Sequence, residues 1–466
     1  MTTVRPILAR RRSAPSLASQ PQGFGQAIVE RGRLTPPIQT MSVLMKPDWI
    51  LVALPTALSL KTLYSGASPS RQLVIIGLFV TVNGILVARA FLRSAEFKYA
   101  TKFGPLVLLL ISAAIAVSRP SEFYQVAILV AVALLVMRIV QTVDGRRIIA
   151  SITDGIGLYL ILNVLLYYLG MRSPSAAARV ALTGGETDRI VFPLAHSVNL
   201  PPALAAAYLG GVLFLVAGPW SFAKFFRLAC VGAAMLILVG GGSRQAAVAA
   251  VSLPAIAILA PRLRRFLGPL TVVIAAASAL VLPAIVRWSQ SFLTPLLSLV
   301  SSRTDMRPIY SMNGRDIIWS RALSFWNDQV QGALNILFGF GMDGQYRSGA
   351  SLSYYRLFVR TSLFDPAMAS VHNSFLAQLF SAGVVGLVMF AVALFWTSLR
   401  LSRRLASWHN YASAAIVLFC ALLLGSMTES FLIPDVNHIT FWVLVVLVGA
   451  ACQCDPAEDG APDMAR

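Results

Sequence analysis

Charge is what this chain has least of. Only 12% of its 466 residues are Asp, Glu, Lys or Arg, about half the share of an ordinary soluble domain. Acidic residues are the scarcer sign, 19 against 38 Lys and Arg. Cysteine is scarce as well. Cys230 and Cys420 lie inside apolar runs, and Cys452 and Cys454 lie at the end of the last one. That placement excludes a disulfide framework and gives no zinc-site spacing. The first 47 residues lack the apolar core of a cleavable signal peptide.

Apolar residues fill the place of charge: 57% of the chain is hydrophobic, and its mean hydropathy is +0.73. Windows of about 18 to 20 apolar residues recur from Trp49 to Ala451, each long enough to cross a hydrocarbon core of about 30 Å. Lipid offers the backbone no hydrogen-bond partner, so each window must be a helix. A soluble helical core does not accommodate so many continuous windows. The expected fold is therefore all-α, a polytopic integral membrane protein with about twelve transmembrane helices. The spans fall at about 48–64, 71–92, 103–118, 123–140, 150–170, 199–217, 228–241, 245–260, 266–286, 373–398, 411–431 and 436–452. Residues 1–47 read as a disordered basic cytoplasmic tail that touches anionic lipid, 48–452 as one transmembrane domain, and 453–466 as a second cytoplasmic tail.

The net charge of +19 suggests nucleic acid, but its placement argues against that partner. Basic residues cluster in alternate short loops: Arg89, Arg93, Lys98 and Lys102; Arg138, Arg146 and Arg147; Lys224 and Arg227; Arg262, Arg264 and Arg265; Arg400, Arg403 and Arg404. These loops are assigned to the cytoplasm, with both termini, by the positive-inside rule. Two long outer segments remain, at about 171–199 and 287–372, the second forming a large extracytoplasmic loop before the tenth span. Trp288, Trp319, Trp326, Tyr310, Tyr346, Tyr354 and Tyr355 lie in it, a density that suggests a folded cap. Chemistry is expected on this outer face.

Three elements there carry candidate site residues. Gly240-Gly241-Gly242-Ser243-Arg244 closes a span that reads as only about 14 residues. The glycines should break that helix early and leave Arg244 at or just below the outer boundary, where a charge is expensive and tends to be functional. The alternative is an arginine snorkelling to the interface. Asn313-Gly314-Arg315-Asp316 precedes helical apolar spacing through Ile317, Ile318, Trp319, Ala322, Leu323 and Trp326. Arg315 would then sit by the free N–H groups of a helix start, a natural anion site, unless it only pairs with Asp316. His372-Asn373 precedes Gly383 and Gly386. Read as one helix, His372, Leu376, Leu379, Gly383 and Gly386 share a face turned to the bundle, the glycines marking close helix approach. A neutral imidazole there can act as a general base, or it can simply bond a carbonyl at a helix start. Other outer ionisable groups are Glu186, Asp188, Arg189, His196, Glu429, Asp435 and His438. No outer Asp-x-Asp pair or metal-ligand spacing is present, so no metal or other cofactor is expected to hold a diphosphate. Arginines suit that task, since a guanidinium binds phosphate oxygens in pairs. Every Lys or Arg position in 287–372 is Arg.

Taken in this order, Gly242-Ser243-Arg244, Asn313-Gly314-Arg315 with Ile318-Trp319, Gly339-Phe340-Gly341, and His372-Asn373 with Gly383 and Gly386 resemble the O-antigen ligase and O-antigen polymerase superfamily. The likeness covers roughly residues 225–390, and the N-terminal half matches only in hydropathy. It implies transfer of a glycan from undecaprenyl diphosphate to an acceptor hydroxyl, a glycan or a lipid-linked glycan, on the outer face of a bacterial inner membrane, without metal or nucleotide sugar. Arg244 and Arg315 match the positions that bind the lipid diphosphate, and His372 the position proposed to activate the acceptor. Asn373, Asp316, Arg189 and His438 are candidate supporting residues. Leu387 and Val388 stand where ligases commonly carry two threonines, which tilts the resemblance toward a polymerase. Two other classes compete with a transferase. A transporter or flippase needs charged or broken helices near the midplane, and only Asn83 and Asn163 stand out there. A non-catalytic scaffold for polysaccharide assembly is the third.

Overall fold

A computed structural model describes residues 49–64, 69–92, 99–118, 123–171, 190–195, 197–217, 220–300, 315–355, 369–434 and 438–454. The two expected tails, apart from Cys454 and its neighbours, lie outside these residues, as do parts of both long outer segments. Among the described residues the chain is helical, and its one β-bridge, Thr101 with Gln453, is isolated.

The helices are α1 (Trp49–Ser59), α2 (Pro69–Leu92), α3 (Gly104–Ala116), α4 (Phe123–Thr142), α5 (Gly145–Tyr168), α6 (Leu200–Leu215), α7 (Phe222–Gly241), α8 (Arg244–Leu259), α9 (Pro261–Val300), α10 (Arg315–Gln329), α11 (Ala333–Phe338), α12 (Gly344–Arg347), α13 (Ser374–Arg403), α14 (Leu405–Trp408), α15 (Asn410–Ser426) and α16 (Ile439–Ala451). Five of them, α4, α5, α7, α9 and α13, are long and apolar enough to cross a membrane; seven more carry shorter apolar stretches, Leu73–Leu86 of α2 among them. Their outward faces are apolar too. Val239 is 79% exposed and Leu259 82%, a disposition that suits lipid and not water.

The bundle core is built where small residues let helices meet. A Cβ on Gly155 of α5 would lie 2.6 Å from the Leu51 carbonyl of α1, so only glycine permits that approach. Helix α15 packs on α6 and α8, while α13 packs on α3 and α9. The basic loops gather at one end. Arg400 donates to the Lys102 carbonyl, Arg146 to the Ser407 carbonyl, Ser402 to the Arg265 carbonyl and Arg264 to Ser413.

Four expectations about local structure change. Helix α7 has 20 residues, so it is not short; the break after it does fall at the glycines, with Gly242 left-handed at φ 58°. Helix α9 continues past residue 286 to Val300. Arg227 lies within α7, not in a loop: it makes two bonds of 2.7 and 3.0 Å to Asp154 of α5, a paired intramembrane acid that the apolar pattern conceals. The stripe from His372 to Gly386 is not one helix. His372 has φ 48° and precedes the helix, and Gly383 (φ 67°, ψ −169°) interrupts it.

That interruption has a structural partner. Phe340 N–H donates to the Phe380 carbonyl at 2.8 Å and Gly341 N–H to the Ser381 carbonyl at 3.0 Å. The Gly339–Gly341 turn thus satisfies carbonyls that the broken helix cannot. The segment carrying it has its own apolar cluster, in which Ile318, Trp319, Ala350 and Tyr354 pack with Val371, Leu376 and Phe380.

Candidate functional site

The site is built at helix starts. Gly242 ends α7, and a Cβ on Gly241 would meet Pro202 at 2.4 Å, so the chain turns back against α6. The Ser243 hydroxyl then caps α8 by accepting from Ala246 N–H at 3.4 Å, which leaves Arg244 as the first helical residue. Arg244 is exposed and has no partner among the described residues. Next to it, the Gln245 amide donates to the Leu424 carbonyl and accepts from the Thr428 hydroxyl, which ties the start of α8 to the end of α15.

Arg315 is the first residue of α10. The helix is anchored by buried Trp319, whose indole N–H donates to the Val371 carbonyl at 2.8 Å, next to His372. Tyr354 adds a bond to the Ala369 carbonyl at 3.1 Å. Arg315 and His372 are thereby set on adjoining pieces of backbone.

His372 and Asn373 have different tasks. Asn373 is fully buried and caps α13, accepting from Leu376 N–H at 2.9 Å while its amide donates to Ser278 Oγ at 2.8 Å and to the Met427 carbonyl at 3.0 Å. Ser374 donates to the Glu429 carbonyl and accepts from Leu432 N–H, both at 3.0 Å. Together they pin the loop that carries Glu429. His372 holds a left-handed backbone that non-glycine residues adopt at some cost, and its N–H is held by Ser370 Oγ at 3.1 Å.

Glu429 is the centre of the arrangement. Its Oε1 accepts from Arg315 and, at 2.6 Å, from Asn199; its Oε2 lies 3.0 Å from His372 Nδ1. Burial would push this carboxyl upward, but His372, then Arg315 and Asn199, hold it down at about 2. It is therefore ionised at neutral pH. Burial pushes His438 down to about 4, against the pull of the Glu429 charge. One cavity of about 350 Å³ is lined by the polar residues Arg244, Arg315, Glu429, Asn199, Gln245 and Thr428 and by the apolar Ala203, Ala206, Ala249 and Ala421.

Arg244 and Arg315 thus share a cavity, and His372 reaches its rim through Glu429. Asn373 faces inward, as a clamp. Asp316 does not pair with Arg315, and its Oδ1 is buried without a hydrogen-bond partner among the described residues. Arg189 lies outside the described residues, as do Glu186, Asp188, His196 and Asp435. Sequence reasoning gave Glu429 no particular role. The available signal is an acid at the outer end of the 411–431 apolar span, which is expensive unless a cation meets it. Among the described residues no three His, Cys, Asp or Glu side chains gather to hold a metal ion.

The arrangement offers an anion two guanidinium groups, one of them balanced by a buried carboxylate, and sets an imidazole beside that same carboxylate. A proton held on Nδ1 by Glu429 leaves the acceptor lone pair on Nε2, the tautomer a base requires. No protein-family model matches the chain, and no curated protein matches it either.

Proposed function

We propose that the protein is a glycosyltransferase of the outer face of a bacterial plasma membrane, moving a glycan from a polyprenyl diphosphate such as undecaprenyl diphosphate to an acceptor hydroxyl. In this reading all twelve apolar helices cross the bilayer, both termini are cytoplasmic, and the chain is akin to the O-antigen polymerases and ligases. The single observation that carries the reading is that Arg244 and Arg315 line one cavity with Glu429, the carboxylate that also holds His372.

The chemistry follows from the residues. The acceptor oxygen forms a bond to the anomeric carbon as the bond from that carbon to the diphosphate oxygen breaks. The acceptor proton passes to His372, and the prenyl diphosphate leaves with the bonding pair. Negative charge grows on the leaving group, where Arg244 and Arg315 stabilise it. Glu429 stabilises the imidazolium as it forms.

The test is the purified protein with a prenyl-diphosphate-linked oligosaccharide and an acceptor glycan. Wild type should lengthen the acceptor, and Arg244→Ala, Arg315→Ala and His372→Ala should each lower the rate by about 10²-fold or more while folding normally. Full activity in all three would end the reading. The Asp154–Arg227 pair favours one alternative, a transporter, because paired ionisable groups inside spans often mark a transport path. Movement of the lipid-linked glycan across sealed vesicles with no covalent product would decide for it.

A further inference from the structure

One carboxylate serves two cations that have different tasks. Glu429 Oε1 is held by Arg315, the candidate diphosphate ligand, and Oε2 by His372, the candidate base. Ser374 bonds the Glu429 carbonyl and Asn373 the Met427 carbonyl two residues before it, so the carboxylate is held between its two cations from a clamped loop. Among the described residues Arg315 bonds Glu429 through Nη2 alone, which leaves the rest of its guanidinium to a second anion entering the cavity. Arg244, which lines the same cavity, has no such competitor among the described residues.

We infer that Glu429 is a positioning residue that couples donor binding to base activation: a diphosphate entering the cavity draws the Arg315 guanidinium toward itself, and the carboxylate is handed to the His372 imidazole. The inference rests on the diphosphate reading given above. Before the donor arrives, Arg315 neutralises Glu429 and keeps an empty cavity from carrying two unbalanced guanidinium groups. Once the donor is bound, the same carboxylate is released to hold the imidazole and to balance the imidazolium that forms when the acceptor is deprotonated. Coupling of this kind is reciprocal. Transfer of the carboxylate to His372 frees the guanidinium and so favours the diphosphate. The other charged or titratable groups around the pair are Asp316 beside Arg315, Arg244 in the cavity lining, and His438 before α16, which feels the Glu429 charge.

The consequence separates affinity from turnover. Glu429→Gln keeps the size of the side chain and one acceptor oxygen but removes the charge that competes with the donor. It should bind donor more tightly than wild type, by about tenfold for a coupling of ordinary size, and turn over more slowly. A residue with a merely structural role gives weaker binding or none. The probe is a short-chain prenyl-diphosphate-linked sugar, a diester whose charge is constant across the range in which histidines titrate. Its dissociation constant is measured on detergent-purified wild type, Glu429→Gln, His372→Gln, Arg244→Ala and Arg315→Ala. His372→Gln, with no imidazole to take over the carboxylate, should bind the donor several-fold more weakly than wild type. Equal or weaker binding by a folded Glu429→Gln protein overturns the coupling. If that variant does not fold, unchanged affinity in His372→Gln overturns it and weakened affinity upholds it. Loss of affinity in both arginine variants without tightening in Glu429→Gln removes the coupling alone. Wild-type affinity in both arginine variants removes the diphosphate reading beneath it.

Discussion

Glu429 sits where burial alone would neutralise a carboxylate, and it stays ionised because three donors converge on it. That has a cost in acid. Its folded value of about 2 lies below the ordinary 4.5, so its stabilisation is complete above about 4.5 and is lost as pH falls through about 2. The melting temperature of the detergent-solubilised protein should fall across that window, and Glu429→Gln should fall less steeply. Parallel curves would mean that the carboxylate carries no such linkage. Glu429→Ala should be worse at neutral pH, costing about 3 to 5 kcal/mol, because it strands the Arg315 charge in a buried setting. Asn373 tests the clamp. Asn373→Ala removes a helix cap worth about 1 kcal/mol, and it leaves Ser278 and the Met427 carbonyl without its amide, another ~1 to 3 kcal/mol. Thermal melting should show the combined loss, and a variant that melts with wild type would show that the clamp is redundant. The sequence singled out His372, Asn373, Arg244 and Arg315 by residue type and local pattern. Glu429 escaped because its bonds reach residues 57, 114 and 230 positions away, and no local spacing encodes them.

At the scale of elements, local signals were good at locating breaks and poor at measuring lengths. Three consecutive glycines end α7, as their composition indicates, yet α7 and α9 both run farther than their apolar windows, because a helix continues wherever protein or interface satisfies it. Gly383 was legible as a site of close approach but not as a helix break. The reason lies outside its own helix: the Phe340 and Gly341 amides supply the hydrogen bonds that make a break affordable inside an apolar bundle. Two glycine-to-alanine changes should therefore behave oppositely. A Cβ at Gly383 would sit 2.4 Å from the Leu337 backbone on a residue at φ 67°, so Gly383→Ala should destabilise by several kcal/mol, on the order of 3 or more. A Cβ at Gly232, inside α7, meets nothing within 4 Å. Gly232→Ala should be neutral or stabilise by about 0.5 to 1 kcal/mol through helix propensity. Equal melting shifts for the two variants would refute the role given to the kink.

Across the whole molecule, helical class and membrane character were legible because lipid imposes them on composition itself. The ion pair between Asp154 and Arg227 was less so: a carboxylate in one apolar helix and a guanidinium in another are costly alone, and only the packing of α5 on α7 brings them within 2.7 Å. The remaining charge is divided between two ends. Loops rich in Arg and Lys bind one another's carbonyls at one end, while the arginines that face a cavity, Arg244 and Arg315, belong to the other group of residues, with Asn199 and Glu429. In the proposed reading the positive-inside rule assigns the first kind of end to the cytoplasm and so the cavity to the outer side, where a lipid-linked glycan would reach it. Exposed positions at the two ends test this directly. With the four native cysteines replaced by alanine, a single cysteine is introduced by Gln331→Cys in the α10–α11 link or by Ala406→Cys in α14. An impermeant maleimide added to intact cells whose outer barrier has been opened should label the first and spare the second until the cells are lysed. The opposite pattern would place the cavity in the cytoplasm. There the donor would have to be used before its lipid carrier is flipped, and the transfer would have no access to an extracellular acceptor.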